Sequence, residues 1–108
     1  MAIQIKDLEQ LKVMRRAGLL VGQTLQVLRE NIKEGMTTDA LDAIAAANIK
    51  RGGGTSNFLG YHGYPKTICV SVNNEIVHGI PGPRVLNDGD VVSIDCGAII
   101  EGWHGDAA

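Results

Sequence analysis

Two aspartates near the C-terminal end, Asp95 and Asp106, are the first residues whose type and spacing could do chemistry. Asp95 sits in Asp90-Val91-Val92-Ser93-Ile94-Asp95-Cys96-Gly97-Ala98-Ile99-Ile100, a β-branched run that reads as a strand. Glu101-Gly102 suits a turn, and Trp103-His104-Gly105-Asp106 follows it. With Ile100 and Glu101 as a two-residue loop, Ile99 faces Gly102 and Asp95 faces Asp106. Directly opposed residues share a sheet face with Cβ atoms about 4.5–5.5 Å apart. Bare carboxylates so placed repel each other. A pair of divalent metals, held about 3.5–4 Å apart in two-metal sites, would offset that repulsion. The residues alone leave two plainer readings open: Asp95 can pair with a Lys or Arg, and Asp106 can cap a loop. A one-residue slip in register would send one carboxylate to the other face.

A second group lies upstream. Phe58-Leu59-Gly60-Tyr61-His62-Gly63-Tyr64-Pro65-Lys66 holds both tyrosines, the only Phe and one of the three histidines. Loops carry function more often than cores do. A packed aromatic loop with no further role is the plainer alternative. The two cysteines, Cys69 and Cys96, have no CxxC spacing. A disulfide framework or structural zinc is not indicated, and two semi-buried free thiols are expected.

Elements must position these groups. Asp7 can cap a first helix, with Gln10 completing a capping box. Leu8, Leu11, Gly18, Val21, Leu25, Leu28 and Ile32 form one face of an amphipathic helix of about 25 residues, with Gly35 as its stop. Thr37 or Thr38 starts a second helix, whose buried stripe is Leu41, Ile44, Ala45 and Ile49; Gly52-Gly53-Gly54 ends it. Thr67 to Val72 alternates as a half-buried strand, with Ile68, Val70 and Val72 on one side. Asn73-Asn74 can make a tight turn into a second strand, Glu75 to His78. Pro81 and Pro83 stop that strand, and Asn87-Asp88-Gly89 turns into the Asp95 strand. Helices first and strands after predict an α+β fold, two helices packed on one face of an antiparallel sheet.

The 108 residues, 44% hydrophobic and 20% charged, suffice for one modest core. A net charge of −2 with no basic block gives no nucleic-acid footprint. No apolar run approaches the roughly 20 residues that cross a bilayer. The N-terminus has no signal-peptide h-region, so a cytoplasmic protein is expected.

Four motifs then coincide: Gly60-Tyr61-His62-Gly63-Tyr64-Pro65-Lys66, His78-Gly79-Ile80-Pro81, Asp90 through Asp95, and Gly102-Trp103-His104-Gly105-Asp106. In this order and spacing the chain resembles the N-terminal part of the bacterial type I methionine aminopeptidases, over essentially its whole length. The resemblance implies half of a pita-bread fold of the creatinase/aminopeptidase kind, with residues 1–108 as the N-terminal half of a catalytic domain that appears truncated. It implies a dinuclear site of two Asp, one His and two Glu, holding two divalent ions (Co, Mn, Fe, Zn or Ni). Asp95 resembles the carboxylate that chelates one metal, and Asp106 the one that bridges both. His78 resembles the histidine that contacts substrate, and His62 a second pocket histidine. Tyr61, Tyr64 and Cys69 resemble the lining of a methionine pocket, and Phe58 occupies a variable lining position. Asn73 and Glu75 lie in a turn that in some relatives helps hold a monovalent cation.

The implied activity is hydrolytic removal of the initiator methionine from nascent chains, with the ribosome a candidate partner and no membrane or nucleic-acid readout. A neutral His78 can hydrogen-bond the peptide at the reacting carbonyl. Tyr61, Tyr64 and Cys69 suit an unbranched thioether. The family's His ligand and both Glu ligands have no counterpart here, so the 108 residues alone are expected to be inactive. His104, two residues before Asp106, reads as structural or supporting rather than a ligand. Two alternatives remain. A non-catalytic pita-bread binding module usually loses its acidic ligands, whereas Asp95 and Asp106 are kept. A proline-specific aminopeptidase lacks the Gly60–Lys66 pattern.

Overall fold

The computed structural model describes residues 7–73 and 79–107, apart from the side chain of His62. Helix α1 spans Leu8–Asn31 and α2 spans Thr38–Arg51. Strand β1 is Thr55–Ser56, β2 is Cys69–Val72, β3 is Val92–Ile100 and β4 is Trp103–Ala107. The expected α+β architecture is present, two helices against an antiparallel sheet.

The Asp7 carboxylate accepts from the Gln10 amide at 2.8 Å, and the Gln10 side chain answers the Asp7 N–H at 3.0 Å. This capping box starts α1 where its sequence predicts. The buried stripe of α1 is Ala17, Leu20, Val21, Thr24 and Leu28. The expected face is therefore correct from Val21 onward and wrong before it: Leu8 and Leu11 are exposed. At Ala17 the contact is set by the close approach of β4. A Cβ on Gly105 would lie 2.7 Å from the Ala17 carbonyl carbon and 2.8 Å from the Gly18 nitrogen. Helix and strand meet backbone to backbone, so a small residue, not a leucine, marks the contact. Thr24 completes the helix–helix contact: its hydroxyl donates to the Leu20 carbonyl at 2.8 Å and accepts from Asn48 at 2.9 Å.

Strand β3 is the spine. It pairs with β1, β2 and β4, all antiparallel. Alternate residues point to opposite faces. Cys96, Ala98 and Ile100 from β3, with Val70 and Val72 from β2, are buried in the core with α1 and α2, and Val92 and Ile94 pack against it. Ser93, Asp95, Gly97 and Ile99 take the other face. Two differences from the sequence reading concern boundaries. β1 occupies Thr55–Ser56, for which the sequence reading named no element, and β2 begins at Cys69 rather than Thr67. The strand expected over Glu75 to His78 lies outside the described residues.

Asp42 explains the later start of β2. It is 8% exposed on α2, and its Oδ1 accepts the N–H of Thr67 at 2.8 Å and of Ile68 at 3.0 Å. The chain entering β2 is thus tied to a helix rather than to a strand. Asp42→Ala leaves two buried N–H groups without acceptors. The expected loss is about 2–5 kcal/mol, read as a fall in melting temperature. A variant as stable as the parent would contradict this assignment.

Candidate metal and peptide site

The β3–β4 hairpin turns on Glu101 and Gly102, with φ of 49° and 83°. Two positive φ angles in a two-residue loop are the type I′ geometry that matches strand twist. Ile100, 3% exposed, stays in the core. The expected loop of Ile100 and Glu101 is therefore displaced by one residue, because a β-branched side chain resists positive φ and glycine does not. Register changes accordingly. Asp106 pairs with Gly97, not with Asp95. The displacement amounts to two positions in the pairing, so the face is preserved. Asp95 and Asp106 occupy one face as diagonal neighbours, and diagonal Cα atoms are typically about 7–8 Å apart.

That face is the one turned away from the helices. Cys69 pairs directly with Asp95, and Ser71 with Ser93. His104 pairs with Ile99, shares the face and is exposed. Burial raises the Cys69 thiol pKa above its ordinary value, and the nearby Asp95 and Asp106 carboxylates raise it further, while its side-chain contact with Tyr64 opposes them. Burial and the same two carboxylates push Cys96, on the core side, up to about 12. Both thiols are held neutral chiefly by burial, with the two carboxylates adding to it.

The loop from Asn57 to Lys66 covers part of this face. The Tyr64 hydroxyl donates to the Ile68 carbonyl at 2.8 Å and also contacts the Cys69 thiol. Burial is the main reason its pKa is raised. Phe58 meets Tyr64 edge-on, with centroids 6.1 Å apart and an interplanar angle of 81°. Phe58, Tyr64 and Cys69 are therefore brought together beside Asp95. Tyr61, in a 3-10 turn over Tyr61–Gly63, remains 66% exposed. The side chain of His62 and all of Glu75 and His78 lie outside the described residues. Gly79 is held against β2, with its carbonyl accepting from Val70 at 2.9 Å and its N–H donating to the Ser71 hydroxyl at 3.2 Å. Asn73 uses its side chain on the following turn, donating to Asp90 at 3.0 Å and accepting from Val91 at 2.9 Å.

Three residues of this region lie outside the expected site residues. Asn57 packs its carboxamide over Gly97, and its Oδ1 is buried with no hydrogen-bond partner. Gly97 has a faint signal, since glycine inside a strand marks a close approach. Asp42 has one too, an aspartate beside Leu41 on a stripe that is otherwise apolar.

The donor chemistry is that of hard carboxylate oxygens on an open sheet face, which suits divalent cations. An acceptor oxygen that no donor answers, in the same patch, is consistent with positive charge there. Among the described residues, no group of three or more His, Cys, Asp and Glu side chains could hold a metal ion. Asp95 and Asp106 fit part of a ligand set.

The site is thus a helix-backed antiparallel sheet with two acids on its open face. The pattern of metallopeptidase family M24 matches residues 12–108, and the chain belongs to that family. It is 52% identical over 103 residues to methionine aminopeptidase 1 of Bacillus subtilis, covering 95% of this chain and 42% of that protein. It is 46% identical over 106 residues to the methionine aminopeptidase of Clostridium perfringens, covering 98% of this chain and 43% of that one. The crystal structure of methionine aminopeptidase from Rickettsia prowazekii superposes with a TM-score of 0.92 at 36% identity, over 97% of this chain and 42% of that one. The chain thus spans less than half the length of these relatives. Its two helices and antiparallel sheet form half of the pita-bread fold.

Proposed function

We propose that this chain supplies the N-terminal part of a metal-dependent aminopeptidase that hydrolyses initiator methionine from nascent proteins. The observation that carries the reading is the placement of Asp95 and Asp106 on one open face, beside the cluster of Phe58, Tyr64 and Cys69. Divalent cations bound there supply Lewis acidity and a nucleophilic water at neutral pH. Asp95 and Asp106 are assigned to hold two such ions, of the Co, Mn, Fe, Zn or Ni type, together with groups outside the described residues. Tyr64, Cys69 and Phe58 form an apolar, polarisable wall that suits a thioether side chain. Tyr61 and His62 are assigned to the same pocket. The Tyr64 hydroxyl is committed to Ile68, so it shapes the wall rather than moving protons.

His78 is assigned to the substrate peptide, where a neutral imidazole can hydrogen-bond the group at the reacting carbonyl. The reading further includes a cytoplasmic location. It also includes the ribosome as a candidate partner and a monovalent cation near Asn73 and Glu75. Among the described residues, no helix is long and apolar enough to cross a membrane.

The test uses the intact protein that contains this chain. Purified protein with Mn²⁺ should release methionine from a Met-Ala-Ser peptide and lose that activity with chelator. His78→Ala should lower turnover by about a hundredfold or more while metal content stays at the parent level. Loss of metal in that variant would contradict the assignment, and absence of methionine release would overturn the whole reading.

A further inference from the structure

Strand β1 pairs with β3 through Ser56 and Ala98, and the Asn57 N–H donates to the Gly97 carbonyl at 3.3 Å. One step beyond Ser56, Asn57 therefore lies beside Gly97, on the open face. Strand β4 brings Asp106 opposite Gly97. Asn57, Gly97 and Asp106 form a row on that face, with Asp95 two residues along β3. Gly97 provides the room, because a Cβ there would overlap Cγ, Oδ1 and Nδ2 of Asn57. The carboxamide fills the hollow that a side chain at 97 would occupy. Its Oδ1 is buried and accepts no hydrogen bond. An unanswered acceptor in the same patch as two carboxylates is unfavourable until positive charge arrives.

We propose that Asn57 is a positioning residue for the divalent cation assigned to Asp95 and Asp106, seated over Gly97 with its carboxamide dipole favouring that charge. This rests on the aminopeptidase reading above. Asn57 touches neither substrate nor reacting atoms. It acts by shaping the floor between the acids and by making the site more stable loaded than empty. A packing residue would behave differently. Its loss would lower the stability of the metal-free protein and leave metal affinity alone. The orphaned acceptor predicts the opposite pattern.

The test titrates Mn²⁺ by calorimetry into the metal-free intact protein, its Asn57→Ala and Asn57→Asp variants, and Asp106→Ala. Melting temperatures of the metal-free forms are recorded alongside. Asn57→Ala is expected to bind Mn²⁺ about tenfold more weakly, the scale found when groups supporting metal ligands are removed. Its metal-free melting temperature should equal or exceed that of the parent. Asn57→Asp places charge where the dipole stands. It should bind Mn²⁺ more tightly and melt lower without metal. An alanine variant that melts well below the parent without metal, or does not fold, marks Asn57 as a packing residue and overturns the proposal, as does an aspartate variant that binds Mn²⁺ no more tightly than the parent. Affinities within about threefold of the parent overturn the proposal while leaving the site itself intact, provided that Asp106→Ala abolishes binding. A parent protein that binds no Mn²⁺, or binds it equally well without Asp106, overturns both this proposal and the functional reading.

Discussion

Asp106→Ala is expected to remove at least about a thousandfold of the turnover of the intact protein, the equivalent of several kcal/mol of metal-derived stabilisation of the transition state. The carboxylate is exposed at the end of β4. Its removal opens no cavity, and it relieves a like-charge interaction with Asp95. The metal-free variant should therefore melt at or slightly above the parent temperature. Metal analysis should show the bound ions reduced. This combination separates a ligand from a folding residue. Turnover within tenfold of the parent, with full metal content, would remove Asp106 from the site.

Gly105→Ala should have a large effect on folding. The new Cβ would meet the Ala17 carbonyl carbon at 2.7 Å, the Ala17 oxygen at 2.8 Å and the Gly18 nitrogen at 2.8 Å. All three are backbone atoms of α1, so no rotamer change makes room. Helix and strand must separate, at a cost of about 1–3 kcal/mol or more, and Asp106 moves with its neighbour. Gly22→Ala is the control. A Cβ there has nothing within 4 Å, and removing glycine from a helix interior should stabilise by about 0.5–1 kcal/mol. Urea midpoints should shift in opposite directions. A tolerated Gly105→Ala would mean that α1 is not seated on β4 as described.

The contrast shows what the sequence could convey. Period-two alternation along Val92–Ile100 identifies the strand and both its faces, because burial on one side selects every second residue. Shared facing of Asp95 and Asp106 was legible for the same reason and survived a misplaced turn, since a two-position change leaves the face unaltered. The turn itself was readable from the chemistry of Gly102 against Ile100. The early part of α1 was not. Counting apolar residues selects Leu8 and Leu11, whereas the contact is made by Ala17 because Gly105 lets the backbones approach. Asn57 was invisible: its position depends on a two-residue strand and on an absent side chain across the sheet. Asp42 supports the loop before Cys69 by accepting from main-chain N–H donors, and that role appears only once α2 and β2 are adjacent in space. Short strands and side-chain-to-backbone ties leave no periodicity to read.

The geometry of β3 has a consequence for how such a chain can change over evolutionary time. Val92, Ile94, Cys96, Ala98 and Ile100 answer to the helices, and Ser93, Asp95, Gly97 and Ile99 to the open face. One nine-residue segment therefore carries two interleaved messages. Replacements at the first set should alter how much protein accumulates in a cell. Those at the second should alter what each molecule does. A lineage could drift toward a new ligand through the odd-numbered positions while its solubility remained untouched. Insertion of one residue would exchange the two messages and ruin both.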